Sequence, residues 1–171
     1  MGLQFEKWEG TVNDFVLVDG RQAGDLPSSW TPDQIQRLCD RRLGVGSDGV
    51  VEVSATDQGN LVGDFRNPDG SRSFCGNGTR TALAWAHCAG LLSAQDTSVT
   101  IEAVDGLHQG LVRADGTPGI SLLVDGAPRF GVAGQPASSS AFLDTGSPHH
   151  VMWLDSAQAL VDLDLESTAL P

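Results

Sequence analysis

The run from residue 64 to 87, DFRNPDGSRSFCGNGTRTALAWAH, gathers side chains whose types and spacing can do acid/base chemistry. Asn67-Pro68-Asp69-Gly70 is a turn sequence: proline presets φ, and Asn, Asp and Gly tolerate turn backbone. The Asn67 amide is therefore expected at a strand end, facing a cleft. Cys75 follows, and Gly76-Asn77-Gly78 then opens a predicted helix. A cysteine at a helix N-terminus sits beside backbone N–H groups that lack acceptors and at the positive end of the macrodipole. That setting favours the thiolate, the form that works as a general base. The same N–H groups suit a carboxylate, and glycine lets it approach the backbone closely. Such a site would hold an amino acid by its carboxylate with a thiol aimed at the α-carbon. Removing the α-proton places charge on that carboxylate, so the donors stabilise the transition state more than the ground state. For a lone Cys-Gly pair, a buried structural thiol at a glycine turn is the simpler account. The whole segment favours the reactive one.

The elements that must position these groups are short. Apolar or alternating runs at 3–8, 12–18, 49–53 and 61–65 predict strands. Thr31-Pro32-Asp33-Gln34 carries an N-cap, a proline suited to the first helical position and the Gln of a capping box. The helix it starts is expected to reach about Arg42, to bury Ile35, Leu38 and Cys39, and to end near Gly44. A second helix is predicted from about Asn77 to Ala89, with Leu83, Trp85, Ala86 and Ala89 at helical spacing and Gly90 as its stop. Strands at 98–104 and 107–113 flank Asp105-Gly106, a hairpin signal, and another strand follows at 119–124. Residues 131–140, GVAGQPASSS, resemble a linker. Strand-like stretches at 141–143 and 151–154 come next, and then a tail beginning as helix or loop. Strands, a helix and further hairpins, without a βαβ repeat, predict an α+β fold. NDFVLVD (13–19) is faintly echoed by SPHHVMWLD (147–155), as two lobes built alike would require.

Bulk properties narrow the function classes. Hydrophobic residues make up 40% of the 171 and charged residues 19%, the balance of a folded globular chain. Ten basic against 22 acidic residues give a net charge of −12, which argues against nucleic acid and anionic membranes as partners. Lys7 is the only lysine; the acidic balance suits a solvated surface or a high-salt cytoplasm. No apolar run reaches the roughly 20 residues of a membrane span. The start lacks a signal peptide's basic and apolar regions, and Glu6 breaks the N-myristoylation pattern. The expected location is cytoplasmic. Three cysteines without a CxxC pair suggest neither a disulfide framework nor a zinc site. Cys39 and Cys88 have apolar helical neighbours and are expected in the core. His87 and His108 lack partners at metal-ligand spacing, and His149 and His150 either wall a site or simply close a loop. Gly44-Val45-Gly46 is not a phosphate loop, since no P-loop Lys follows.

The pattern N-x-D-G-S-x-x-x-C-G-N-G-x-R, with NDF at 13–15 and LGVGSDGVV at 43–51, resembles diaminopimelate epimerase. Gly146-Ser147-Pro148-His149 looks like that family's G-N-P-H segment, with Ser147 where Asn is common. The resemblance implies a lobe of mixed strands wrapped around a central helix, and the start of a second similar lobe. Lobe boundaries at 1–130, a linker at 131–140 and an incomplete second lobe at 141–171 are expected. The implied reaction is interconversion of LL- and meso-2,6-diaminopimelate by an isomerase whose two cysteines act as base and acid, without pyridoxal phosphate, metal or other cofactor. Carried over residue by residue, Cys75 is one of the two thiols, and Gly76 and Asn77 supply N–H groups to the carboxylate. Asn13 and Asn67 contact the substrate, and Ser147 and His149 stand at the site wall. Where some relatives place a substrate-binding Gln, this sequence has Gly49. The family's Glu-Arg pair and second Cys-Gly motif are absent, so the chain is expected to be an N-terminal half, completed by a homodimer or by a partner carrying the second lobe. A proline racemase of the same fold is an alternative. A phenazine-type isomerase lacks the CGNG thiol, and a non-catalytic amino-acid-binding remnant is the alternative of another class.

Overall fold

The computed structural model describes residues 3–22, 30–92, 98–132 and 139–163. By internal contacts the chain divides into two units, Met1–Leu123 and Val124–Pro171.

The first unit is a seven-stranded mixed sheet in sequential order: β1 (Glu6–Gly10), β2 (Asn13–Asp19), β3 (Gly49–Ala55), β4 (Leu61–Arg66), β5 (Val99–Ala103), β6 (Gly106–Val112) and β7 (Pro118–Ile120). The β2/β3 and β4/β5 pairs are parallel and the rest antiparallel. Helix α2 (Gly76–Cys88) touches every strand, including both edges, so the sheet curls around it. Helix α1 (Pro32–Cys39) covers the other face at β3. The four apolar residues of β2 show how the sequence serves both faces. Phe15 and Leu17 join the core under α2, while Val16 and Val18 pack with Ile35 and Cys39. Successive strand side chains point to opposite faces, so an unbroken FVLV run marks a strand covered on both sides. Phe15 meets Phe65 edge-on, with centroids 5.9 Å apart, inside the curl.

Local signals explain most boundaries. Thr31 Oγ1 accepts from Gln34 N at 3.3 Å and Gln34 Oε1 accepts from Thr31 N at 2.9 Å, the expected capping box at the start of α1. The helix stops at Cys39, short of Arg42, because the Asp40 carboxylate takes the N–H groups of Arg42 and Leu43 at 2.7 and 2.8 Å. That local turn competes with further helix. The β5–β6 turn falls on Val104-Asp105, one residue earlier than expected, with Gly106 at φ +138° opening β6.

The second unit is an antiparallel sheet of β8 (Asp125–Phe130), β9 (Ser140–Asp144) and β10 (Pro148–Met152) in the order β10-β9-β8, with the short helix α3 (Ala157–Val161). Residues 125–130, expected within the first lobe and outside the predicted strands, include Gly126 and Pro128, which disfavour a strand. The strand forms at a sheet edge with an irregular register between Asp125 and Arg129, where a proline is tolerated. The proposed linker 131–140 begins after β8 and runs into β9; its residues 133–138 lie outside the described residues, as does the tail from 164. The echo between 13–19 and 147–155 falls on β2 and β10, each the second strand of an antiparallel hairpin. Among the described residues no helix is long and apolar enough to cross a membrane.

Candidate active site

Cys75 is the N-cap of α2. Its backbone is extended (φ −132°, ψ 102°), its carbonyl accepts from Thr79 N at 2.8 Å, and its Sγ accepts from Gly78 N at 3.3 Å. The sulfur thus occupies the position an N-cap oxygen usually takes. It is half-buried against the core cluster under the sheet. Gly76 and Asn77 open the helix, where geometry leaves their N–H groups without acceptors in the same helix. Thr79 and Thr81 brace this first turn, donating from Oγ1 to the carbonyls of Cys75 and Asn77 at 3.0 and 2.9 Å.

The β1–β2 hairpin meets the same helix end. Asn77 Nδ2 donates to Asn13 Oδ1 at 3.3 Å, and Asn13 Nδ2 donates to Asp48 Oδ2 at 2.8 Å. A methyl group on Gly10 would come within 2.6 Å of Thr81 Oγ1 and 3.0 Å of the Asn77 carbonyl. Glycine at the end of β1 is what lets hairpin and helix approach. Beneath the asparagines lies an ion-pair network. Asp14 pairs with Lys7 at 2.8 Å and Arg41 at 2.7 Å, and Arg41 also reaches Asp48 at 2.7 Å. The Arg41 guanidinium, with Lys7, holds the Asp14 carboxyl well below the usual carboxylate range.

The seven expected site residues therefore distribute as follows. Cys75, Gly76, Asn77 and Asn13 come together. Asn67 follows β4, but its Nδ2 is held by its own loop, 3.0 Å from both Ser71 Oγ and Ser73 Oγ. Ser147 ends the β9–β10 turn of the second unit and His149 stands in β10, where its Nδ1 donates to the Ser147 carbonyl at 2.7 Å. Arg80 and Asp48 stand within the motifs CGNG-x-R and LGVGSDGVV, but no site role was expected of either. Arg80 Nη2 donates to Asn77 Oδ1 at 2.5 Å, and the available signal was its spacing of three from Asn77 on a helix.

The other thiols differ from one another. Cys39 is buried, with burial pushing its thiol up, as a core cysteine should be. Cys88 is exposed, contrary to expectation, and Ala89 is exposed with it. Residues 87–90 are all exposed, since this last turn of α2 runs beyond the cover of the sheet. Among the described residues no group of three or more His, Cys, Asp or Glu is placed to hold a metal ion. An apolar groove of about 390 Å³ lies over α1, lined by residues including Leu3, Trp30 and Leu38, and contains none of the site residues.

A family model for diaminopimelate epimerase matches residues 5–128. The chain belongs to the diaminopimelate epimerase family. The diaminopimelate epimerase of Flavobacterium psychrophilum is 33% identical over 155 residues, covering 90% of this chain and 56% of that protein. That of Synechococcus sp. strain JA-3-3Ab is 33% identical over 190 residues, covering 96% and 63%. The chain thus spans about three-fifths of the length of such relatives. Among solved structures, a hydroxyproline epimerase from Agrobacterium vitis with bound trans-4-hydroxy-L-proline superposes with a TM-score of 0.60 at 11% identity, over 99% of this chain and 53% of that one. The Bacillus anthracis phenazine biosynthesis protein of the PhzF family gives 0.53 at 19% identity, over 86% and 53%. These two share the fold.

Proposed function

We propose that this family member supplies one acid/base thiol, Cys75, to a cofactor-independent epimerase acting on 2,6-diaminopimelate. The supporting observation is the sulfur at the start of α2, accepting the Gly78 N–H at 3.3 Å, with the Gly76 and Asn77 amides beside it. In the reaction the Cys75 thiolate takes the α-proton, so the C–H bond breaks and an S–H bond forms. The electron pair spreads into the substrate carboxylate, which the helix-terminal N–H groups hold. A second acid then gives a proton to the opposite face of the α-carbon, and the reverse direction exchanges the two roles.

Neither remaining cysteine fits that second role. Cys39 lies in the cluster on the α1 side of the sheet, and Cys88 ends the helix that Cys75 starts, roughly 20 Å away at 1.5 Å per residue. The opposite-face acid therefore comes from another half or another chain. The substrate is a small amino acid, and no cofactor is required.

The test is α-proton exchange in deuterium oxide with meso-diaminopimelate, with proline as competitor. This chain alone is expected to incorporate deuterium with retention, and to invert the centre only when a half bearing the second thiol is supplied. Exchange should vanish in Cys75→Ala and be indifferent to proline. Inversion by the chain alone, undiminished in Cys75→Ala, would sink the proposal.

A further inference from the structure

Asn77 and Asn13 are linked into a hydrogen-bonded chain whose two ends have fixed polarity. At one end Arg80 Nη2 donates to Asn77 Oδ1 at 2.5 Å and to Thr11 Oγ1 at 3.0 Å. Asn77 Nδ2 then donates to Asn13 Oδ1 at 3.3 Å, and Asn13 Nδ2 to Asp48 Oδ2 at 2.8 Å. Arg41 Nη2 holds the other carboxylate oxygen of Asp48 at 2.7 Å, and Asp14 N donates to Asp48 Oδ2 at 3.2 Å. A guanidinium has donors only and an ionised carboxylate acceptors only. An asparagine alone can flip its amide at little cost. Between these two ends, neither amide can flip without setting donor against donor or acceptor against acceptor.

The direction of the chain has a chemical consequence. Each amide oxygen is taken by an incoming donor and one N–H of each amide by the next acceptor. Each asparagine keeps its second N–H for a ligand, beside an oxygen that already accepts one hydrogen bond. The edge formed by residues 13 and 77 therefore offers donors beside the Cys75 helix terminus. Among the described residues Arg80 makes no ion pair, so its charge adds to the positive potential of that terminus.

We infer that Arg80 and Asp48 are positioning residues that lock Asn77 and Asn13 into a donor-presenting edge, selecting a carboxylate over a carboxamide or an ammonium at that place in the substrate. Arg80 acts through the asparagines rather than on the reacting atoms. The assignment rests on the proposed epimerase site for its ligand, while the relay itself is a property of the folded chain.

Two measurements on the intact protein separate these levels. Side-chain amide resonances of Asn13 and Asn77 in ¹⁵N-labelled protein read the relay without substrate. Arg80→Met is expected to shift both, including Asn13, which Arg80 does not touch, and Arg80→Lys to restore them in part. Asn13 signals unmoved by Arg80→Met would overturn the relay, whatever the protein's substrate. In the exchange assay, Arg80→Met should raise KM for diaminopimelate about 10–100-fold, the effect of a lost hydrogen bond to a charged group, with a much smaller fall in kcat. The preference for diaminopimelate over its monoamide should shrink with it, and Arg80→Lys should recover most of both. A preference unchanged in Arg80→Met would overturn the assignment of specificity. Relay shifts in a protein that neither binds nor exchanges diaminopimelate would contradict the proposed substrate and leave the locked amide edge established.

Discussion

The ring of Phe74 lies flat on the imidazole of His108, with centroids 4.6 Å apart and planes 8° from parallel. Phe74 immediately precedes Cys75, so this stack seats the start of α2 on β6. His108 is fully buried and tied on both sides: Nδ1 donates to the Ser121 carbonyl at 2.8 Å, and Nε2 meets Asp105 Oδ1 at 2.9 Å. His108→Ala removes the platform and strands two polar partners. A loss of about 2–4 kcal/mol in urea unfolding is expected, together with faster alkylation of Cys75 as its anchor loosens. Unchanged stability would show that the stack bears no weight.

Cys75→Ser separates capping from chemistry. Serine is a strong N-cap, so its hydroxyl should keep the Gly78 N–H bonded and leave the melting temperature equal or higher. Exchange at the α-carbon should fall by about 10²-fold or more. Iodoacetamide mapping of the wild type should label Cys88 and Cys75 before the buried Cys39. Early labelling of Cys39 would contradict its place in the core.

Thr11 and Val12 turn the β1–β2 hairpin at φ +63° and +67°, and Val12 is 93% exposed. A β-branched residue in the left-handed region is strained, by about 1–2 kcal/mol, and packing does not compensate an exposed side chain. After the extra chain entropy of glycine, Val12→Gly is expected to stabilise the protein by about 0.5–1 kcal/mol, read as a higher unfolding midpoint. Destabilisation would mean that Val12 is held by something other than the turn.

Gly49 opens β3 in close contact with β4. A methyl group there would come within 2.3 Å of the Phe65 ring and 2.7 Å of the Arg66 carbonyl. Gly49→Ala should cost about 1–3 kcal/mol or more by overpacking β3 against β4. A neutral substitution, measured by denaturant unfolding, would contradict this packing.

Acid stability should follow Asp14 and Asp19, both held below their ordinary values, first by hydrogen bonds from Arg41 and Arg21 respectively. A carboxylate depressed in the folded state contributes stability above its unfolded pKa of about 3.9 and loses it as pH falls through the folded value. From pH 8 to 5 these groups should therefore contribute no pH dependence, and stability should decline below about pH 4. Asp14→Asn should be less stable than wild type at pH 7, with the difference closing toward pH 2. A difference at pH 2 as large as that at pH 7 would assign the loss to packing instead.

Much of this architecture is local and so was legible. Thr31 to Gln34 is a capping box because both partners lie within one turn, and FVLV in β2 reads as a strand whichever faces are covered. The placement of Cys75 before Gly76-Asn77-Gly78 likewise follows from helix-start chemistry carried by neighbouring residues. The β8 strand was not legible, because Gly126 and Pro128 speak against a strand and only pairing with β9 overrides them. Cys88 looked like core because helical spacing does not say where the sheet's cover ends.

By itself the sequence determined the α+β composition, the thiol at a helix start and the family, since each depends on residues close together in the chain or on a motif read in order. The tertiary structure alone decided which distant groups share that helix end. Asn77 meets Asn13 across 64 positions and Arg80 meets Thr11 across 69, because the sheet curls until its β1 edge reaches α2. Such contacts depend on closure of the sheet, and no local spacing encodes them. The polarity of the asparagine edge arises the same way, from a guanidinium and a carboxylate that only the fold brings to opposite ends of one hydrogen-bonded chain.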